Sequence, residues 1–548
     1  MFVSYLPPVA PAAILLLSAL LLSVIIPRIP LPRQGQPWLQ YSLAPSLVGV
    51  VLLSFLGVQL DLGQMGGDSW ANWPLSVGEP LLNFRIDRLG FPFLILTLLL
   101  LLVVALMTSP FSLHQETDTK NFRELAQVHW HKTAGWLFVG TGVLLGLVSA
   151  NFASLAYTIL AFDLLLVVFW LKHGQYNLAI ARLFLGVFSA SAIALGVILG
   201  STETASPLVL SVGEAFVGGA LWLRLALFPF IEITGKIDWQ DEEDLIYFGL
   251  SLLVGLYLMA RTMTYVLPES LLWLTTIMMV VSGLLAWLAN RISLQLSYLI
   301  IVEVLLLLLV GPLPAGVIVA AGLSLMLSLV ALWVTPHLGR PNLAEPAWLW
   351  LYLPAATATL TLIGLPFFLS WPVRIAVYEA LVSLDNILVV LLALLAEMLA
   401  FTVVIGFWKN LWQDENGNRR RLIVDVVVMV PFLLPGLGLF IVERITQLTL
   451  PRADSEKIIF TLIMLFVVMV GALALHSYRE KLLLKLNLST SSLIEFAQLQ
   501  WFWSQSADWL GRAGKLILRM NVVLEGQHYV GWAIFATIIG ALIILLRV

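Results

Sequence analysis

Apolar residues run along this chain in blocks of about twenty, the length a helix needs to cross the hydrocarbon of a bilayer. The blocks lie near 9–26, 42–60, 90–108, 133–150, 152–171, 180–200, 209–233 and 245–266. They continue near 270–289, 294–311, 314–335, 347–370, 384–407, 423–442, 457–476 and 529–547. About sixteen such blocks predict an all-α polytopic membrane protein. The longest polar inserts are 61–88, 109–132, 408–421 and 477–528. The last is different in kind. It sets Tyr478, Leu482, Leu493, Phe496, Trp501, Trp503 and Trp509 against Arg479, Lys481, Arg512, Lys515 and Arg519. That is the pattern of an amphipathic helix lying along a membrane surface. Ser489-Thr490-Ser491-Ser492 followed by Glu495 forms a capping box, so a helix is expected to restart there. An interfacial anchor and a lateral helix bracing other spans or a neighbouring subunit both fit this stretch.

Composition agrees with the blocks. The chain has 548 residues, 60% hydrophobic and 11% charged, a balance foreign to soluble domains. It has no cysteine, which excludes disulfides, thiolate catalysis and iron–sulfur ligation. The first block lacks a basic leader and is followed by prolines, so it is expected to be a retained span. Most of the 29 lysines and arginines, Arg182 among them, are assigned to odd-numbered loops. The positive-inside rule then predicts both termini on the non-cytoplasmic side.

A few charges fall inside the apolar blocks: Asp163, Glu214, Arg224, Glu232, Glu303, Arg374, Glu379 and Glu397. Each costs several kcal/mol in hydrocarbon and is expected to face the protein interior. Arg224 stands five residues before Pro229, in Leu223-Arg224-Leu225-Ala226-Leu227-Phe228-Pro229. Arg374 follows Gly364-Leu365-Pro366 by a few residues. A proline removes a helix hydrogen bond, which a bilayer tolerates only inside protein or beside water. Two Gly/Pro-interrupted segments predict two related half-domains around ion sites. The expected divisions are 1–132, 133–293 with its break near 219–235, 294–442 with its break near 364–374, and 443–548. Asp163 has no charged neighbour in sequence, and Arg224 is its expected partner. No glycine-rich phosphate loop, HExxH or metal-ligand cluster occurs. No catalytic residue, cofactor, metal or nucleic acid is therefore assigned to this chain.

These segments resemble a known family: the antiporter-like, proton-translocating membrane subunits of complex I, membrane hydrogenases and Mrp-type cation/proton antiporters. Asn83-Phe84-Arg85-Ile86-Asp87-Arg88-Leu89-Gly90 is similar to the approach to that family's third span, with Asp87 at its usual aspartate. Arg224 to Phe230 resembles its broken seventh helix, and Gly364-Leu365-Pro366 its broken twelfth. Glu525-Gly526-Gln527-His528-Tyr529 resembles the junction into the final span of the type that carries a lateral helix. The departures share a direction. Arginine stands at Arg224 and Arg374 where the family has lysine, and Asp163 follows Phe162 where it has glutamate after tryptophan. Tyr247 stands at a family histidine, and 313–335 carries no ionisable group where the family places a histidine and a lysine. Lysine can release its proton when buried; arginine holds it.

The resemblance implies a membrane-arm subunit of a complex-I-like (NADH/quinone oxidoreductase-type) or Mrp-like assembly, partnered by other integral membrane subunits and the lipid bilayer. It would serve proton or cation translocation, with its own proton path degenerate. The implied location is a bacterial inner or thylakoid-type membrane. A stand-alone secondary ion transporter, or the membrane partner of an inorganic-carbon-uptake or hydrogenase module, are the alternatives.

Overall fold

The computed structural model describes residues 9–22, 84–87, 89–107, 122–172, 176–200, 207–234 and 243–262, then 265, 267–289, 291–335, 347–384, 386–413, 454–486 and Arg512. The expected spans at 42–60, 423–442 and 529–547, and the 487–528 part of the amphipathic stretch, lie outside these residues, Arg512 excepted. The chain falls into two units, residues 1–497 and 498–548. All the named helices belong to the first.

Every named element among the described residues is helical. The first five are α1 (Ala10–Leu20), α2 (Gly90–Met107), α3 (Phe122–Leu147), α4 (Phe152–Lys172) and α5 (Tyr176–Gly200). Then come α6 (Pro207–Trp222), a π turn (Leu223–Leu227) and α7 (Phe228–Thr234). They are followed by α8 (Glu243–Arg261), α9 (Glu269–Leu288), α10 (Ile292–Leu309) and α11 (Ala315–Val334). The last are α12 (Ala347–Ile363), α13 (Trp371–Val382), α14 (Ile387–Gln413) and α15 (Ser455–Leu486). Among the described residues eight spans are long and apolar enough to cross a membrane, and five shorter apolar helices accompany them. The chain is an integral membrane protein.

Three polar inserts are shorter than the sequence suggests. Helix α3 begins at Phe122, inside the expected insert 109–132, and α14 runs to Gln413. Helix α15 continues to Leu486, so residues 477–486 extend a span instead of opening a separate surface helix. In each case the polar residues are good helix formers attached to an apolar block, and helices extend past the membrane where water satisfies their ends.

Helices α10 and α11 are the most enclosed; α15 is the least. Around them α4 packs on α5, α5 on α6, α9 on α10 and α14, and α14 on α15. The outward faces of α4, α5 and α15 are apolar, with Val168, Phe188 and Phe466 among the most exposed. This is inverted relative to a soluble protein, because lipid, not water, is the expected neighbour. The polar side chains turn inward. Buried serines and threonines such as Thr97, Thr141 and Thr276 donate to the carbonyl four residues earlier, which satisfies their hydroxyls within their own helix.

Helix α9 approaches α14 closely at Gly283. A Cβ there would lie 2.6 Å from the carbonyl oxygen of Ala396, a backbone atom that cannot rotate away. Gly219 in α6 has nothing within 4 Å of the same position. Gly283→Ala is therefore expected to destabilise by about 1–3 kcal/mol, whereas Gly219→Ala should be neutral or stabilising. Thermal unfolding in detergent checks both; equal midpoints for the two variants would contradict this packing.

Candidate functional site

The first break is a widened turn in a continuous helix. Pro229 has no N–H to give and its ring would press on the carbonyl four residues back. The helix responds upstream with one π turn, closed by the Phe228 N–H donating to the Leu223 carbonyl. Arg224 lies within that turn and is 1% exposed.

Its guanidinium meets Asp163 of α4. Arg224 Nη1 donates to Asp163 Oδ1 at 3.0 Å, Nη2 donates to Oδ2, and Nε donates to Ser189 Oγ of α5 at 2.9 Å. A second guanidinium shares the carboxylate. Arg182 of α5 donates from Nε to Asp163 Oδ1 at 2.8 Å and from Nη1 to Ser251 Oγ of α8 at 2.8 Å. Phe228 lies under both cations, 4.2 Å from Arg182 Cζ and 4.8 Å from Arg224 Cζ. Gly186 makes the room: a Cβ there would stand 2.8 Å from Asp163 Oδ2. One carboxylate thus ties together α4, α5 and the π turn, and Arg182 extends the tie to α8.

The second break is a full interruption: one helix ends at Ile363 and the next starts at Trp371. Helix α12 ends in a Schellman motif: the Leu365 N–H donates to the Leu360 carbonyl at 3.2 Å and the Gly364 N–H to that of Thr361 at 3.0 Å. Gly364 takes φ +82°, open to glycine at no steric cost. Helix α13 then starts at Trp371, with Pro372 in its first turn where a missing N–H is harmless. Pro366 lies in the connecting turn.

Arg374, in the first turn of α13, points back into this break. Its Nη2 donates to the Leu362 carbonyl at 2.7 Å, one of the carbonyls that the end of α12 leaves open. The same Nη2 donates to Glu303 Oε1 of α10 at 2.7 Å, and Nη1 donates to Glu397 Oε1 of α14 at 2.5 Å. The Tyr378 hydroxyl also donates to Glu397 Oε1, at 2.8 Å. All four side chains are buried. A cavity of about 20 Å³ borders Glu303, Arg374, Ser324, Thr361 and Ser370, room for about one water.

Other sequence candidates separate. Glu379 is exposed, not interior: α13 turns it outward to Lys457 Nζ at 2.6 Å. Glu214 is half-buried in α6, and Glu232 lies in α7, its side chain outside those described. Tyr247 packs against Phe169 and Trp170. Helix α11 is buried along nearly its whole length and has no titratable side chain.

Arg182 corrects the sequence reading, which put it in a loop. It lies within α5 and is 2% exposed. The signal was available: it falls inside the apolar block 180–200. Asp87, half-buried, has a partner that the sequence did not point to. Arg261 Nη1 meets Asp87 Oδ2 at 2.5 Å, and Arg261 Nε donates to the Tyr257 hydroxyl at 2.9 Å. Asp87 Oδ1 accepts from the N–H of Gly90, where α2 begins.

No family model matches the sequence, and no curated protein does. Solved structures do match in fold. A chain in the structure of the Mrp complex from Dietzia sp. DQ12-45-1b superposes with TM-score 0.61 at 13% identity, over 98% of this chain and 63% of that one. This chain thus spans under two thirds of that longer protein. A chain of the membrane-bound sulfane sulfur reductase, an archaeal respiratory membrane complex, superposes with TM-score 0.54 at 14% identity, over 98% of this chain and all of that one. A chain of respiratory complex I from Thermus thermophilus aligns less closely, with TM-score 0.48 at 16% identity over 78% of this chain and 98% of that one.

Gly364→Ala would place a methyl against the Arg374 side chain and force an alanine to φ +82°. The expected loss is at least about 1–2 kcal/mol, read by thermal unfolding in detergent; an unchanged midpoint would contradict the described break. At these low identities the likeness concerns the fold: this chain shares its fold with a chain of the Mrp complex and a chain of the membrane-bound sulfane sulfur reductase.

Proposed function

We propose that this chain is a membrane-arm subunit of a multi-subunit Mrp-like or complex-I-like assembly, and that its first ion site is a fixed charge group instead of a proton relay. The observation that carries the reading is Asp163 held between Arg182 and Arg224. A lysine there could give up its proton and leave the carboxylate for another partner. Two guanidiniums keep their charge, so the group has one stable arrangement. Helix α11, enclosed by the fold and without a titratable side chain, supports the same reading, because a relay needs a titratable group in its middle.

On this reading the full chain has about sixteen spans. Residues 133–293 and 294–442 form related halves, each with one break and one charge group. Both termini face away from the cytoplasm of a bacterial inner or thylakoid-type membrane. Other membrane subunits cover part of the apolar surface, and lipid covers the rest. A stand-alone transporter would need a polar substrate site near the membrane midplane, and the two buried groups are already engaged in ion pairs.

Two measurements test the proposal. Extraction in mild detergent should recover the chain with further integral membrane subunits. A monodisperse monomer stabilised by a transported solute would instead favour the stand-alone transporter. Which soluble subunits accompany the complex would separate a respiratory assembly from an inorganic-carbon or hydrogenase module. In reconstituted vesicles the wild type should show only background proton flux; robust wild-type flux would contradict the fixed-charge role.

A further inference from the structure

The buried group around Arg374 has an uneven charge balance. Around Arg374 one guanidinium faces two carboxylates, Glu303 and Glu397, each bonded to it through one oxygen. The other titratable neighbour is Tyr378, whose hydroxyl donates to Glu397. Among the described residues the two contacts with the guanidinium are the ion pairs that Arg374, Glu303 and Glu397 make. With both carboxylates ionised the group would hold one excess negative charge in a dry interior, an arrangement that buried sites avoid. Glu397 Oε2 sharpens the point. It is fully enclosed and has no hydrogen-bond partner, a costly state for an ionised oxygen and a milder one for a neutral acid. Glu303, by contrast, borders the water-sized cavity.

We propose that Glu303, Glu397 and Arg374 together hold one exchangeable proton at the second helix break. Uptake places the proton on a carboxylate oxygen and cancels the excess charge; release restores it. The cavity beside Glu303 has room for about one water next to the group, while Glu397 is the enclosed member. A metal cation is the weaker occupant, since the Oε1 atoms of both carboxylates are already taken by guanidinium N–H groups. Any use of this proton in transport rests on the membrane-arm reading; its presence does not.

Infrared difference spectroscopy of the full-length protein in lipid nanodiscs tests the site. The wild type at neutral pH should show the C=O stretch of one protonated carboxylic acid that moves on transfer to D2O and on labelling with 13C-glutamate. Glu397→Gln and Glu303→Gln should each abolish it, because one carboxylate facing one arginine needs no proton. Glu379→Gln, in the exposed pair, should leave it intact. The labelled wild type decides the matter by itself should a variant fail to fold. No acid band in the wild type, a band insensitive to D2O, or a band that survives Glu303→Gln would each overturn the shared proton. So would a band removed by sodium but not by choline, which would put a metal cation in the site. Absence of partner subunits on purification would sink the membrane-arm reading and leave this band unaffected.

Discussion

An ionised side chain inside a membrane protein must find its counter-charge there, because lipid offers none. That constraint organises this chain. Asp163 gathers Arg182 and Arg224; Arg374 gathers Glu303 and Glu397; Asp87 takes Arg261. Each group joins segments far apart in sequence, and each fixes a place where the backbone is irregular or a helix begins. Breaking such a group is costly because a bare charge stays behind in a dry interior. The apolar surfaces of the helices make the bundle possible; the charge groups select which helices meet and in what register.

The two helix breaks show how local chemistry sets what a buried arginine can do. At the first, Pro229 is accommodated by a π turn, and the helix continues with Arg224 directed sideways at Asp163. Its backbone is still largely satisfied, and the guanidinium spends its donors on side chains. At the second, the helix stops at Gly364, and Arg374 must serve both an open carbonyl and two carboxylates. At the first, two guanidiniums hold the Asp163 carboxylate in place. The second carries two acids on one cation, beside room for water.

Much of this could be read from the sequence. Among the described residues the apolar blocks gave the helices, the prolines and Gly364 marked both irregular sites, and the intramembrane charges pointed to Asp163 and Arg224 as partners. Long-range grouping was harder. Nothing in the spacing of Glu303, Arg374 and Glu397 says that they converge, since three helices bring them together. Arg182 was missed because a basic residue near the edge of an apolar block reads the same whether it turns to water or to a buried acid. Glu379 misled in the opposite direction: it lies on the same helix as Arg374, five residues on, and helical geometry turns it outward to Lys457. The ends of spans were also indistinct, because polar helix formers extend a helix as readily as they start a loop.

Everything said of the first break depends on Asp163 and Arg224 forming a fixed, energetically coupled pair that holds the π turn in place. A double-mutant cycle on unfolding in detergent, with Asp163→Asn, Arg224→Gln and both together, isolates that coupling. Its predicted size is on the order of 2 kcal/mol, the range found for residues within one ion-pair network. Effects that add to within about 0.5 kcal/mol would mean that the two groups do not depend on each other, and would contradict the fixed pair.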